Sequence, residues 1–201
     1  ADEQLRLTDE DRRTLLAAAE QGTDRLTSLV TNLLDMNRLQ TGAVKPLDRP
    51  TVIEEVVQRA IGGLPLSAVV SEVGEDLPVV HTDPALLERI LANVIENAAR
   101  QASGGVPVRV LAGEISEPER HVDIRVVDQG PGVPVSQRSE IFEPFLRSGD
   151  HKHAQAGGVG LGLAVAAGLA QLIGAQIDVE DTPGGGLTMV ISVPVERGES
   201  Q

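Results

Sequence analysis

The sequence predicts an α/β two-layer sandwich, a mixed sheet with helices on one face, preceded by a long amphipathic helix. Three observations carry that prediction. Up to Gly42 the apolar residues recur at spacings of three and four; from Thr51 helical runs are interleaved with short alternating ones; and the alternating runs set an apolar row against a wet one, leaving one sheet face for helices to cover. A chain of 201 residues accommodates one full domain and a helical appendage, not two independent domains of usual size.

The appendage opens on Thr8 and Asp11, spaced as a capping box, and Leu15, Ala19, Gly22, Leu26, Leu29, Leu33 and Met36 follow as one seam. A second row, Leu16, Val30 and Leu34, widens the stripe beyond a two-stranded seam. The helix therefore packs either in a bundle or, as an ordinary amphipathic helix, on its own domain. Gly42 is placed to end it, and Pro46 and Pro50 punctuate a linker over 43–50.

Residues 51–195 form the domain. A helix is expected near Thr51–Ile61, extended runs near Leu66–Val73 and Pro78–His81, and a helix from Asp83 to about Ala102. Two strands follow, with Val108 and Val110, then Val122, Ile124 and Val126, facing inward. A helix near Val135–Phe142, a Gly-rich loop, a helix near Leu161–Ile173 and a closing strand pair, Gln176–Asp181 and Leu187–Val193, complete the domain; 196–201 is a tail.

Composition narrows function. A net charge of −13 offers no basic face to nucleic acid, which is not expected as a partner, and repels anionic lipid headgroups. The absence of cysteine excludes disulfides, thiolate zinc sites and cysteine nucleophiles. The best candidate for a membrane span, Gly157–Ala170, is too short to cross a bilayer.

Several groups of residues could carry chemistry. On a wheel of about 100° per residue, the helix from Asp83 buries Leu86, Leu87, Ile90, Leu91, Val94, Ile95 and Ala98, while Asn93, Asn97 and Arg100 share its flank. Asparagine forms helices poorly. The pair is either a polar face bonded to neighbouring structure, or two carboxamides for a hard divalent cation or its waters, with Arg100 facing phosphate. Asp128–Val133, DQGPGV, is either a turn or a site: Asp128 would accept from the exocyclic amine of adenine, with Gly130 and Gly132 letting the base lie against the backbone. Guanine presents a carbonyl there, so such a site prefers ATP to GTP.

Gly157–Leu163, GGVGLGL, runs into a helix N-terminus where an anion can sit, and fits neither a dinucleotide fingerprint nor a Walker loop. Thr188, after Gly184–Gly186, brings a hydroxyl to a hairpin. Phe142 and Phe145, the chain's only aromatic residues, with Arg147, either simply pack or dock on another surface; Ser148–Ala156 has the polar composition of a lid.

Taken in order, the twin-asparagine helix, Asp-x-Gly-x-Gly, Phe-x-x-Phe-x-Arg, Gly-x-Gly-Leu-Gly-Leu and Gly-Gly-Gly-x-Thr resemble the N, G1, F, G2 and G3 boxes of the sensor histidine kinase ATP-binding domain, over about Thr51–Val195. The segment NLLDMNRLQTG resembles the end of the dimerisation hairpin and, with DTPGGGLTMVISVP, is most similar to Kdp-type potassium-responsive sensor kinases. The resemblance implies a Bergerat-type fold with ATP and magnesium (Mg2+) as ligands. It implies Asn97 on the metal, Asn93 and Arg100 on phosphates, and Asp128 on adenine beside Gly130, Gly132 and Val133. Gly158, Val159, Gly160, Leu161, Gly162 and Leu163 would line the triphosphate, with Thr188 also at the nucleotide. Arg100 stands where the family commonly has lysine, and Gln101 where it often has a stacking aromatic.

The resemblance also implies that residues 1–42 are part of a dimerisation hairpin forming a homodimer through 8–40, that a response regulator receiver domain is a partner, and that the domain is the cytoplasmic part of an inner-membrane sensor. None of His81, His121, His151 and His153 has the family's phosphoacceptor setting, so the acceptor is expected before Ala1 or on another chain. Related gyrase- and Hsp90-type ATPases carry a water-activating glutamate at the place of Asn93. An amide cannot serve as that base, which favours transfer over hydrolysis; Glu96, about 60° around the wheel, is an alternative base. Two rival readings share the boxes: an anti-sigma-type serine kinase, which needs no bundle-forming helix, and a non-catalytic ATP-binding interaction module.

Overall fold

The computed structural model describes residues 8–65, 67–102, 105–145 and 160–195. Helix α1 (Asp9–Gln40) starts on the expected capping box: Thr8 Oγ1 accepts from the Asp11 N–H at 3.1 Å, and the Asp11 carboxylate accepts from the Thr8 N–H at 3.0 Å. The side-chain bond from Thr8 holds the Asp11 carboxyl below the usual carboxylate range. The helix ends where Gly42 takes a φ of 62° and the Ala43 N–H donates to the Arg38 carbonyl at 3.0 Å. Met36 and Leu39, near that end, pack against the domain core, whereas Leu15, Leu16, Leu26, Val30, Leu33 and Leu34 are each more than half exposed.

The connector is tied down before the domain begins. Arg49–Thr51 form β1, which pairs antiparallel with β3 (Val80–Thr82); Arg49 and Pro50 lie in the segment read as linker, and Thr51 in the expected helix. Helix α2 runs Ile53–Ile61. Asp83 then does two jobs. Its Oδ1 caps α3 (Pro84–Gln101) by accepting from Ala85 N–H at 2.9 Å and Leu86 N–H at 3.1 Å, while its Oδ2 accepts from the Leu47 N–H of the connector at 2.8 Å.

Strands β2 (Val69–Glu72), β4 (Val108–Ile115), β5 (His121–Val127), β6 (Gln176–Asp181) and β7 (Leu187–Pro194) form one sheet in the order β2-β4-β5-β7-β6. β2 and β4 are parallel and the other neighbours antiparallel, the mixed sheet expected. The alternation in β5 decides which face is covered. Val122, Ile124 and Val126 are fully buried with Leu87, Ile90, Leu91 and Val94 of α3 and with Val165 and Leu169 of α4 (Gly162–Ile173). Burying each such side chain stabilises the fold by about 1.5–3 kcal/mol. On the other face Arg125 reaches over β7 to donate to Glu180 at 2.7 Å.

The helix expected near Val135–Phe142 is instead two separate 3-10 turns, Val135–Gln137 and Glu140–Phe142. Only Ile141 and Phe142, both on the second turn, pack against the core and no residue of either turn is fully buried, so the segment between Pro134 and Pro144 buries too little to offset the cost of nucleating an α-helix. Among the described residues no helix is long and apolar enough to cross a membrane.

Candidate functional site

The third of the five strands, β5, delivers Asp128 directly from its end. The residue is 4% exposed, and its N–H donates to the Leu187 carbonyl at 2.9 Å. Its carboxylate is held from two sides: Oδ1 accepts from the Gly130 N–H at 2.7 Å and the Leu187 N–H at 3.2 Å. Both of these bonds fall on Oδ1, which leaves Oδ2 as an acceptor for a ligand N–H.

Backbone proximity makes this arrangement possible. A Cβ on Gly186 would lie 2.1 Å from the Asp128 carbonyl oxygen, and Gly186 has a φ of 112°; one on Gly130 would lie 2.6 Å from the Gln101 carbonyl oxygen. The end of α3, the loop after Asp128 and the β6–β7 turn therefore meet with no room for side chains. Thr188, buried on β7, shares a 2.9 Å hydrogen bond with the Thr182 hydroxyl, and Val133 packs against the core from the loop.

The α3 flank carries the remaining candidate side chains. Arg100 is exposed and pairs with Glu96 at 3.7 Å, and Asn97 is half-buried. Asn93 differs from its flank neighbours: it is 4% exposed, and its Nδ2 is buried with no hydrogen-bond partner. The reason is α4, whose first residue covers it: a Cβ on Gly162 would lie 3.3 Å from Asn93 Oδ1. An unsatisfied buried amide costs about 1–3 kcal/mol, a penalty that a bound acceptor would remove.

Gly160, Leu161, Gly162 and Leu163 lead into α4. Leu161 is buried, and the Gly160 carbonyl accepts from the Phe145 N–H at 3.2 Å. Phe142 is half-buried against the core, whereas Phe145 is 65% exposed and has a φ of 66°, a left-handed conformation costly for an aromatic residue. Gly157, Gly158, Val159, Arg147 and the expected lid, Ser148–Ala156, lie outside the described residues, as do His151, His153 and the expected tail.

One neighbour of the site has no local sequence signal. Arg89, one turn before Asn93, donates to Asp35 Oδ2 at 3.0 Å and to Asn32 Oδ1 at 2.9 Å, partners 54 and 57 residues away on α1. The end of α1 thus borders the Asn93–Gly162 corner.

Among the described residues no three His, Cys, Asp or Glu side chains converge to hold a metal. The carboxamides of Asn93 and Asn97 are hard, neutral oxygen donors, too few to cage an ion. They suit a magnesium-type cation that keeps its waters and shares phosphate oxygens.

Residues 82–197 match the family described as histidine kinase-, DNA gyrase B- and HSP90-like ATPase. The sensor protein KdpD of Mycobacterium tuberculosis (strain H37Rv) is 44% identical over 95% of this chain and 22% of the relative, and that of Escherichia coli (strain K12) is 34% identical over 84% and 19%. The chain therefore spans about a fifth of the length of these relatives. The crystal structure of full-length ShkA in complex with AMPPNP superposes with a TM-score of 0.73 at 28% identity, covering 98% of this chain and 42% of that one. Fold, residue order and relatives agree: the chain belongs to the histidine kinase-, DNA gyrase B- and HSP90-like ATPase family and is the ATP-binding catalytic domain of a sensor histidine kinase.

Proposed function

We propose that this chain holds ATP with magnesium and transfers the γ-phosphoryl group to a histidine carried by a dimerisation hairpin. The observation that carries the reading is a pair of open hydrogen-bonding groups, the spare Asp128 Oδ2 on the loop that meets the end of α3 and the buried, unpartnered amide of Asn93 on α3 itself. Asp128 accepts from the adenine amine. The Asn93 amide and the Arg100 guanidinium donate to phosphate oxygens, and Asn97 supplies an oxygen to the ion. Gly130, Gly132, Val133 and Thr188 surround the base, and the run from Gly158 to Leu163 lines the triphosphate. The ion, when bound, neutralises charge on the group being transferred. Catalysis then comes from positioning, because Asn93 is an amide and cannot activate water as a carboxylate would.

In this reading residues 1–42 contribute a hairpin helix, 43–50 a connector and 51–195 the catalytic domain; α1 pairs with its copy through 8–40, a response regulator receiver domain takes the phosphoryl group onward, and the domain works in the cytoplasm beneath a membrane-bound sensor. The exposed stripe of α1 supports the hairpin assignment over the serine-kinase alternative, which has no use for it.

Calorimetric titration with ATP–magnesium and GTP–magnesium tests the base site: ATP should bind more tightly, and Asp128→Asn should erase the difference. Equal affinities in the unmodified chain would sink the adenine role. Labelled ATP tests the transfer. The chain should remain unlabelled alone, and an added hairpin should become labelled in acid-labile form; acid-stable labelling of the chain itself would favour a serine kinase.

A further inference from the structure

Arg138 belongs to none of the motifs, yet its side chain is only 20% exposed and reaches three acceptors. Its Nε donates to the Val133 carbonyl at 3.4 Å, its Nη1 to the Val179 carbonyl at 3.3 Å, and its Nη2 to the Asp181 carboxylate. Val133 lies on the loop after Asp128, whereas Val179 and Asp181 lie on β6. The guanidinium therefore joins the two walls of a cleft of about 410 Å³, lined among others by Pro131, Gly132, Thr182 and Gly186.

Those walls also fix Asp128. One contributes the Gly130 N–H and the other the Leu187 N–H, both donating to Oδ1. The walls touch where a Cβ on Gly132 would lie 3.2 Å from the Gly186 carbonyl oxygen. As an ion pair Arg138–Asp181 contributes little, because Asp181 is 74% exposed. Its geometric role is larger, since a planar, forked donor constrains three acceptors at once.

We propose that Arg138 is a positioning residue: it keeps the Gly130–Pro134 segment against the β6–β7 hairpin and so aims the free Asp128 oxygen at the base. The inference rests on the reading of Asp128 as the adenine acceptor. Losing the bonds to Val133 and Val179 would let the loop drift, and ordering it again would oppose ATP binding more than GTP binding, because only adenine uses the aimed oxygen.

The test compares Arg138→Gln, Arg138→Lys and Asp128→Asn with the unmodified 201-residue chain, by calorimetry with ATP–magnesium and GTP–magnesium and by hydrogen exchange without nucleotide. Arg138→Gln should weaken ATP about fivefold and narrow the ATP/GTP ratio by a similar factor. Exchange should quicken at the Gly130 and Leu187 amides with β4 unchanged. Arg138→Lys should recover part of the loss, because an ammonium reaches fewer of the acceptors. A merely structural role would weaken both nucleotides together and leave their ratio intact; that result, or an unchanged affinity, overturns the proposal. If Asp128→Asn alone erases the preference, the adenine reading stands and only the clamp fails. If Asp128→Asn leaves the preference untouched, the adenine reading fails and the clamp with it.

Discussion

Helices α1 and α3 carry the same kind of apolar stripe and meet opposite fates. In α3 Leu87, Ile90, Leu91 and Val94 are fully buried beneath the sheet and α4, whereas in α1 Leu15, Leu26 and Val30 are each more than half exposed. Helical periodicity thus records that a helix has a partner, not where the partner is. For α3 the partner is in the chain. For most of α1 no described residue of the domain supplies one, and only the last turns, with Met36, Leu39 and the Arg89 contact, pack against the domain.

The contrast can be broken from either side. The largest effect belongs to Ile90→Ala, which leaves a cavity in the core and should cost about 3–4 kcal/mol in urea unfolding. Arg89→Ala should cost less, about 1–2 kcal/mol, because it strands the half-buried Asp35 and Asn32; faster hydrogen exchange near the end of α1 should accompany it, and exchanging the charges with Arg89→Asp and Asp35→Arg should recover part of the loss. Leu26→Ala should change domain stability by under about 0.5 kcal/mol while weakening any self-association measured by sedimentation. A large loss of stability there would mean that α1 finds its partner within the chain.

The smallest effect is electrostatic. The Arg125 hydrogen bond holds the Glu180 carboxyl below its ordinary range. A carboxyl depressed in the folded state stabilises above its unfolded value, and loses that contribution as pH falls through the folded one. The stability gap between the unmodified chain and Glu180→Gln should therefore close as the pH is lowered from about 5 to about 3.

How much was legible in the sequence follows from how local each signal is. The capping box of Thr8 and Asp11, the end of α1 at Gly42, the buried row of α3 and the alternation of β5 depend on residues within a turn or two, and all were readable. β1 escaped because three residues containing Pro50 show no pattern until β3 lies beside them. The helix expected at Val135–Phe142 failed because only Ile141 and Phe142, at its end, pack against the core. At the site, Asp128 and its glycines were visible as a motif. The burial of Asn93 was not, since it depends on α4 arriving from far along the chain. Arg138 gave no signal, because its partners Val179 and Asp181 lie 41 and 43 residues away.

The tethering of the connector has a mechanical consequence. Leu47 is bonded to Asp83 and Arg49–Thr51 are paired in a sheet, so free rotation is confined to the few residues around Ala43–Pro46, while Arg89 grips the helix just before them. From Asp35 back to Asp9 the helix extends about 39 Å at 1.5 Å per residue. A tilt of about 10° at the grip would swing the far end through about 7 Å while moving the residues beside the grip far less. The geometry of α1 is that of a reduction lever, in which a large movement at the far end would arrive at the grip as a small one.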